Sequence, residues 1–281
     1  MRVACSGALQ GIVLALACTS CSLDRAGVGA GMDASVELPD GAPDAEAVDA
    51  PIDAPAPIDA PPDGGPCASP AAGTVVASPA GAIVLDGDLA EWPEQAFVEV
   101  DGWGGGTAAP APDDLRARFA IVWTSNELFL GIEFADDVLD GDASNSSMLW
   151  RGDSVQVGLD MARNAVGPGY DATDDYELGW ALVDGALTQH RWQAPDGAAD
   201  PSGQVAIGRA GAVTTYEVAL FAGELGRADF AAGLVVRMGL LVNESDGVGR
   251  EGWAEWGSGI GEVKDPTLFR DLTLVPDPPC P

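Results

Sequence analysis

The 281-residue chain contains one histidine, His190, and one lysine, Lys264. A lone histidine leaves almost nothing for Ser-His-Asp catalysis or a multi-histidine metal site. Bases number 13 against 44 acids, a net charge of −31, which excludes a basic nucleic-acid footprint and docking by charge onto an anionic bilayer. Helical periodicity is scarce; the best case is a single turn near 221–225. In place of helix signals there are 37 glycines and 21 prolines, which favour turns and strands.

Residues 1–21 read as an export signal. Met1-Arg2 supply a short positive end, and Ile12 to Ala17 form the core of an apolar stretch too short to span a bilayer, which takes about 20 apolar residues. The segment closes on Leu14-Ala15-Leu16-Ala17-Cys18. This resembles a bacterial lipoprotein signal and implies lipidation of Cys18, with membrane attachment through the lipid. Ala15 departs from the pattern, which usually has leucine there. Plain secretory cleavage near Ala17 is the alternative. Thr19 after the cysteine, in place of Asp, fits outer-membrane delivery. Both readings give an exported protein, an outer-membrane lipoprotein or a periplasmic or extracellular one, whose cysteines meet an oxidising compartment.

Residues 22–66 read as a disordered linker. From Asp24 to Pro66 there are ten acids, eight prolines, one base and no Phe, Tyr or Trp. Ala50-Pro51-Ile52-Asp53-Ala54-Pro55 repeats at once as Ala56-Pro57-Ile58-Asp59-Ala60-Pro61. Such a composition buries too little apolar surface to offset ordering entropy, and proline with like charge keeps it extended. It serves either as a spacer or as an unselected low-complexity tract.

Cys67 and Cys280 bracket the remaining segment, 67–281. A disulfide joining them is the economical reading in an exported protein; two free thiols are the other. Between them period-2 alternation recurs. Phe119, Ile121 and Trp123 lead through Asn126-Glu127 into Leu128 to Phe134, a hairpin. Val155, Val157 and Leu159 alternate with Gln156, Gly158 and Asp160, and Val235 to Val242 is nearly continuous and apolar. Tyr176, Leu178, Trp180 and Leu182 form another period-2 face and Tyr216, Val218 and Leu220 a third, and shorter runs at 83–85, 97–100, 188–192, 205–208 and 272–275 bring the count to about eleven strands. The fold class expected is all-β, a two-sheet, jelly-roll-like β-sandwich.

Several blocks recur in a characteristic order: Ile83-Val84-Leu85-Asp86-Gly87 with Trp92, Trp123 through Asp137, Leu149-Trp150-Arg151-Gly152-Asp153-Ser154-Val155-Gln156-Val157, Tyr216-Glu217-Val218-Ala219-Leu220, and Asp265-Pro266 to Leu272. Together they resemble the family 9 carbohydrate-binding modules and their DOMON-like relatives. The resemblance implies a β-sandwich and a sugar held between two tryptophans. Trp150 falls on the first tryptophan position, and Gln156 falls where the family often has Glu. Val263 occupies the second tryptophan position, and Gly179 replaces an expected arginine. Trp253 and Trp256 are candidate second platforms that no spacing argument selects. Trp150 itself reads equally as a packing tryptophan.

Paired carboxylates for glycoside hydrolysis cannot be singled out among so many acids, so an enzyme is not expected. The resemblance leaves two readings open, no cofactor or a structural calcium ion without assignable ligands, since related modules bind one and hard oxygen ligands suit it. Asp140 to Ser146 begins like an EF-hand loop, but Asn145 stands where glycine is required and Arg151 where the bidentate Glu belongs. The expected function is non-catalytic binding of a poly- or oligosaccharide at the cell envelope. The alternative is a degenerate sandwich serving protein–protein or envelope-structural contact.

Overall fold

Alternating side chains become strands here because one face of each finds a core. The computed structural model describes residues 75–79, 82–106, 108–111, 114–141, 145–195 and 203–276. The export signal, the linker, Cys18, Cys67 and Cys280 lie outside the described residues. Thirteen strands are described: β1 (Val75–Pro79), β2 (Val98–Glu99), β3 (Gly102–Gly104), β4 (Leu115–Trp123), β5 (Glu127–Asp136), β6 (Ser154–Asp160), β7 (Asp175–Val183), β8 (Ala186–Gln193), β9 (Gln204–Ala210), β10 (Val213–Phe221), β11 (Val235–Glu244), β12 (Gly252–Trp256) and β13 (Arg270–Leu274).

One sheet runs β8-β7-β6-β11-β13, with β12 also on β11 and β3 on β12. The other runs β4-β5-β10-β9, with β2 on β4. Pairing is antiparallel except at β1, which lies parallel to β13 through Val75 to Ala77 and to β4 through Ser78 and Pro79, joining the two sheets. The architecture is a β-sandwich, as the alternation indicates.

The core lies between the sheets. Phe119, Ile132, Phe134 and Tyr216 meet Val157, Leu178, Trp180 and Leu240, all fully buried. Each such side chain contributes about 1.5–3 kcal/mol by leaving water.

Four features differ from the sequence reading, the first being β1, a strand at 75–79 that the alternation did not mark. Residues 83–85 form no strand, because carboxylates take the donors of this segment and the turn after it: Val84 N–H donates to Glu91 Oε1 at 2.9 Å, and Asp86 and Gly87 N–H donate to Glu217 Oε2 at 2.8 and 2.7 Å. β3 is Gly-Trp-Gly, a weak strand former by propensity. Its glycine is required by close approach: a Cβ at Gly104 would come within 2.4 Å of the Trp253 indole. β12 is short and carries no clean alternation. The expected turn near 221–225 is a 3-10 turn, Ala222–Leu225.

Candidate functional site

On β6, alternation sends Val155, Val157 and Leu159 into the core and Ser154 and Gln156 to the opposite face. Asn243 on β11 shares that face. Its Nδ2 donates to Ser154 Oγ at 2.9 Å and to Gln156 Oε1 at 3.1 Å. Gln156 Nε2 donates to Glu177 Oε1 at 3.0 Å, and Lys264 Nζ donates to the same oxygen at 2.5 Å. Glu177 Oε2 and the hydroxyl of Tyr170, which neighbours this carboxylate, are both buried. Burial, with the Glu177 carboxylate beside it, pushes the Tyr170 phenol well above its ordinary pKa.

A 3-10 turn, Ser146–Arg151, carries Trp150 to the rim of this face. Asn145 Oδ1 caps the turn by accepting from Ser147 N–H at 3.1 Å, and Ser154 Oγ donates to Leu149 O at 2.8 Å. Leu149 is buried with Ala181 and Val183, which fixes the turn to β7. Trp192 on β8 donates its Nε1–H to Ser147 O at 3.0 Å, so a second indole is tied to the same turn. Its ring covers Gly179, where a Cβ would meet Trp192 Cζ3 at 2.4 Å. His190 stands edge-on to Trp192 at 5.0 Å, with Ser146 Oγ 3.1 Å from its Nδ1.

Trp150, Gln156, Glu177, Trp192, Arg250, Ile260, Gly261 and Lys264 line a groove of about 280 Å³. Trp253 packs with Leu241, Ile260 and Phe269. The Arg250 guanidinium lies over both Trp253, at 4.4 Å, and Trp150, at 5.1 Å. Burial lowers the Arg250 pKa from its ordinary value. The groove therefore offers indole faces, an amide, one ion pair and a half-buried guanidinium.

The structure brings Trp150 and Gln156 together. Trp253 shares their face, but it is only 6% exposed and supports Arg250 instead of lining the groove. Trp256 is a correction. It lies three residues along β12, on the opposite face, 2% exposed in the core and 5.2 Å from the Phe119 ring, so it offers no platform. Val263 is half-exposed and outside the groove lining. Trp192, Glu177, Arg250 and Lys264 went unselected in the sequence. Two signals pointed to them: Gly179 leaves room on β7 for a ring from β8, and Lys264 is the chain's only lysine.

Acidic groups gather elsewhere. Ligand oxygens of Asp136 at the end of β5, Glu244 at the end of β11, and Asp246 lie within 4.8 Å of one another. Asp136 Oδ2 and Glu244 Oε2 are buried and make no hydrogen bond among the described residues, and Arg209 Nη1 lies 4.0 Å from the former. Burial first, then neighbouring carboxylates, pushes Glu244 up to about 8 and the adjoining Asp153 up to about 9; burial also raises Asp136. Orphaned hard oxygens in a repulsive cluster fit a calcium ion. A second group, Asp160, Asp174 and Asp175, has Arg237 at 3.6 Å from Asp160. The EF-hand-like run contributes no member to either group among the described residues.

No curated protein sequence matches the chain significantly. The solved structures that share the fold include two family 9 carbohydrate-binding modules from Caldicellulosiruptor kristjanssonii. One, in complex with cellotriose, is 19% identical, with a TM-score of 0.55 over 72% of this chain and 94% of that one. The other, in complex with glucose, is 18% identical, with a TM-score of 0.53 over 72% and 95%. Residues 85–276 match the family described as carbohydrate family 9 binding domain-like, and the chain belongs to that family.

Proposed function

We propose that this domain is a non-catalytic glycan-binding module, held at the bacterial cell envelope by a lipid on Cys18 and lifted from it by residues 22–66. The observation that carries the reading is the groove: Trp150 and Trp192 on its walls, with Gln156 and Glu177 at its base. Sugars present apolar CH faces that stack on indole and hydroxyls that pair with amides and carboxylates. That relatives of the same fold bind cellotriose and glucose supports the reading. Of the residues lining the groove, Glu177 is the one carboxylate, where glycoside hydrolysis takes two. A concave groove with Trp150 half-buried on its wall favours a sugar over a flat protein contact. The Asp136, Glu244 and Asp246 group is assigned to a structural calcium ion.

Calorimetry with mono- and oligosaccharides tests the module. One aromatic contact and a few neutral hydrogen bonds, at ~1 kcal/mol each, leave a single sugar near millimolar affinity, ~4 kcal/mol. Trp150→Ala is expected to lose sugar-dependent quenching of tryptophan fluorescence and still fold, since a rim residue supports little core. Saturable sugar binding by Trp150→Ala equal to that of the unmodified protein would remove the groove from consideration.

A further inference from the structure

Arg250 is a cation without a carboxylate. Arg116, Arg118, Arg163, Arg209, Arg237 and Arg270 each have a carboxylate oxygen within 4.0 Å. Arg250 has none among the described residues, in a chain where acids outnumber bases 44 to 13. Its Nη1 donates to Asn243 Oδ1 at 3.2 Å and its Nη2 to Gly261 O at 3.5 Å, both neutral acceptors. The two indoles flanking it are neutral as well. Three of its five N–H groups remain without a protein acceptor among the described residues. The groove's other cation, Lys264, is already engaged by Glu177 at 2.5 Å. The groove thus holds one neutralised pair and one surplus positive charge.

A half-buried guanidinium surrounded by neutral partners pays for its desolvation without a counter-ion, and the simplest remedy is an anion brought by the ligand. The planar fork of arginine matches a carboxylate with two parallel hydrogen bonds, a fit that a scattered set of sugar hydroxyls lacks. We propose that the groove takes a carboxylate-bearing sugar, a uronic acid unit of a glycan, with its carboxylate on Arg250 and its ring beside Trp150. Hydroxyls on the far side of the ring then face Gln156 and the Glu177–Lys264 pair. This inference rests on the glycan-binding reading and narrows it to an acidic substrate class.

The test is calorimetry on the full chain with glucose, glucuronate and acetate. Glucuronate is expected to bind about tenfold tighter than glucose or better, the gain typical of a hydrogen bond to a charged partner. Raising sodium chloride from 50 to 500 mM is expected to shrink that ratio while glucose binding holds, because salt screens the charge pair alone. In Arg250→Gln the ratio is expected to fall to about one; the salt titration decides the matter if that variant misfolds. Glucose and glucuronate binding equally would overturn the acidic class and leave the glycan module standing. Acetate competing as well as glucuronate would overturn the sugar part of the proposal. Binding of none of the three would overturn both.

Discussion

Glu217 is fully buried, on β10, and both of its oxygens are occupied. Oε1 accepts from Trp92 Nε1 at 2.9 Å, and Oε2 accepts from the N–H groups of Asp86 and Gly87. Trp92 in turn covers Gly131, where a Cβ would come within 2.8 Å of the indole. Glu217→Gln keeps the shape but sets an NH₂ group against donors at one end. An unsatisfied buried donor costs about 1–3 kcal/mol, so chemical denaturation should show a loss of that size. Sugar binding should persist, because the clamp sits on the sheet that does not carry the groove. This residue also marks how far sequence reaches. The Asp86-Gly87 turn, Trp92 and Glu217 were all legible as motif letters, but the hydrogen bonds joining them span about 130 positions. Gln156 was legible because parity on β6 dictates its face. Trp192 was not, because its role depends on Gly179 lacking a side chain on the neighbouring strand.

At the scale of elements, long alternating runs gave reliable strands: β4 to β7, β10 and β11 fall where periodicity puts them. β3 and β12 escaped because they are stabilised by each other's close approach, Gly104 against Trp253, more than by local preference. Strand ends decide the cation question. Asp136 closes β5 in one sheet and Glu244 closes β11 in the other, so an ion between them would bridge the sandwich. Calcium at 100 times its dissociation constant adds about 2.7 kcal/mol, which for a domain this size raises the melting temperature by roughly 5–10 °C. Scanning calorimetry with calcium against EDTA reads the difference. Glu244→Gln should abolish the calcium response yet raise the melting temperature in EDTA, since it removes a carboxyl whose ionisation burial and neighbouring carboxylates oppose in the folded state. Coincident melts with and without calcium would leave the cluster without an ion.

For the whole molecule, the inferences concern its ends, which composition describes and the described residues do not include. Cys18→Ala should abolish lipid labelling and normal processing, with mass analysis of the native N-terminus as the readout; a Cys18 N-terminus with both its amine and its thiol unmodified would end the lipoprotein assignment. The Cys67–Cys280 disulfide bears on the fold itself. Cys67 lies eight residues before Val75 and Cys280 six residues after Leu274, and β1 and β13 are neighbours, so both cysteines flank one strand pair. Val75 pairs with Leu272 and Ala77 with Leu274, so the strand ends nearest the two cysteines in sequence are close neighbours. Closing so long a loop removes on the order of 5 kcal/mol of unfolded-state entropy in the chain-entropy model, an upper bound because engineered and native bridges often deliver less. The double Cys→Ser protein should therefore fold with its groove intact and melt lower, by up to roughly 10–20 °C for a domain of this size. The loss should vanish when both proteins are melted in reductant. A non-reducing peptide map of protein exported to the periplasm gives the direct answer: a linked Cys67–Cys280 peptide is expected, and two free thiols would rule the bridge out.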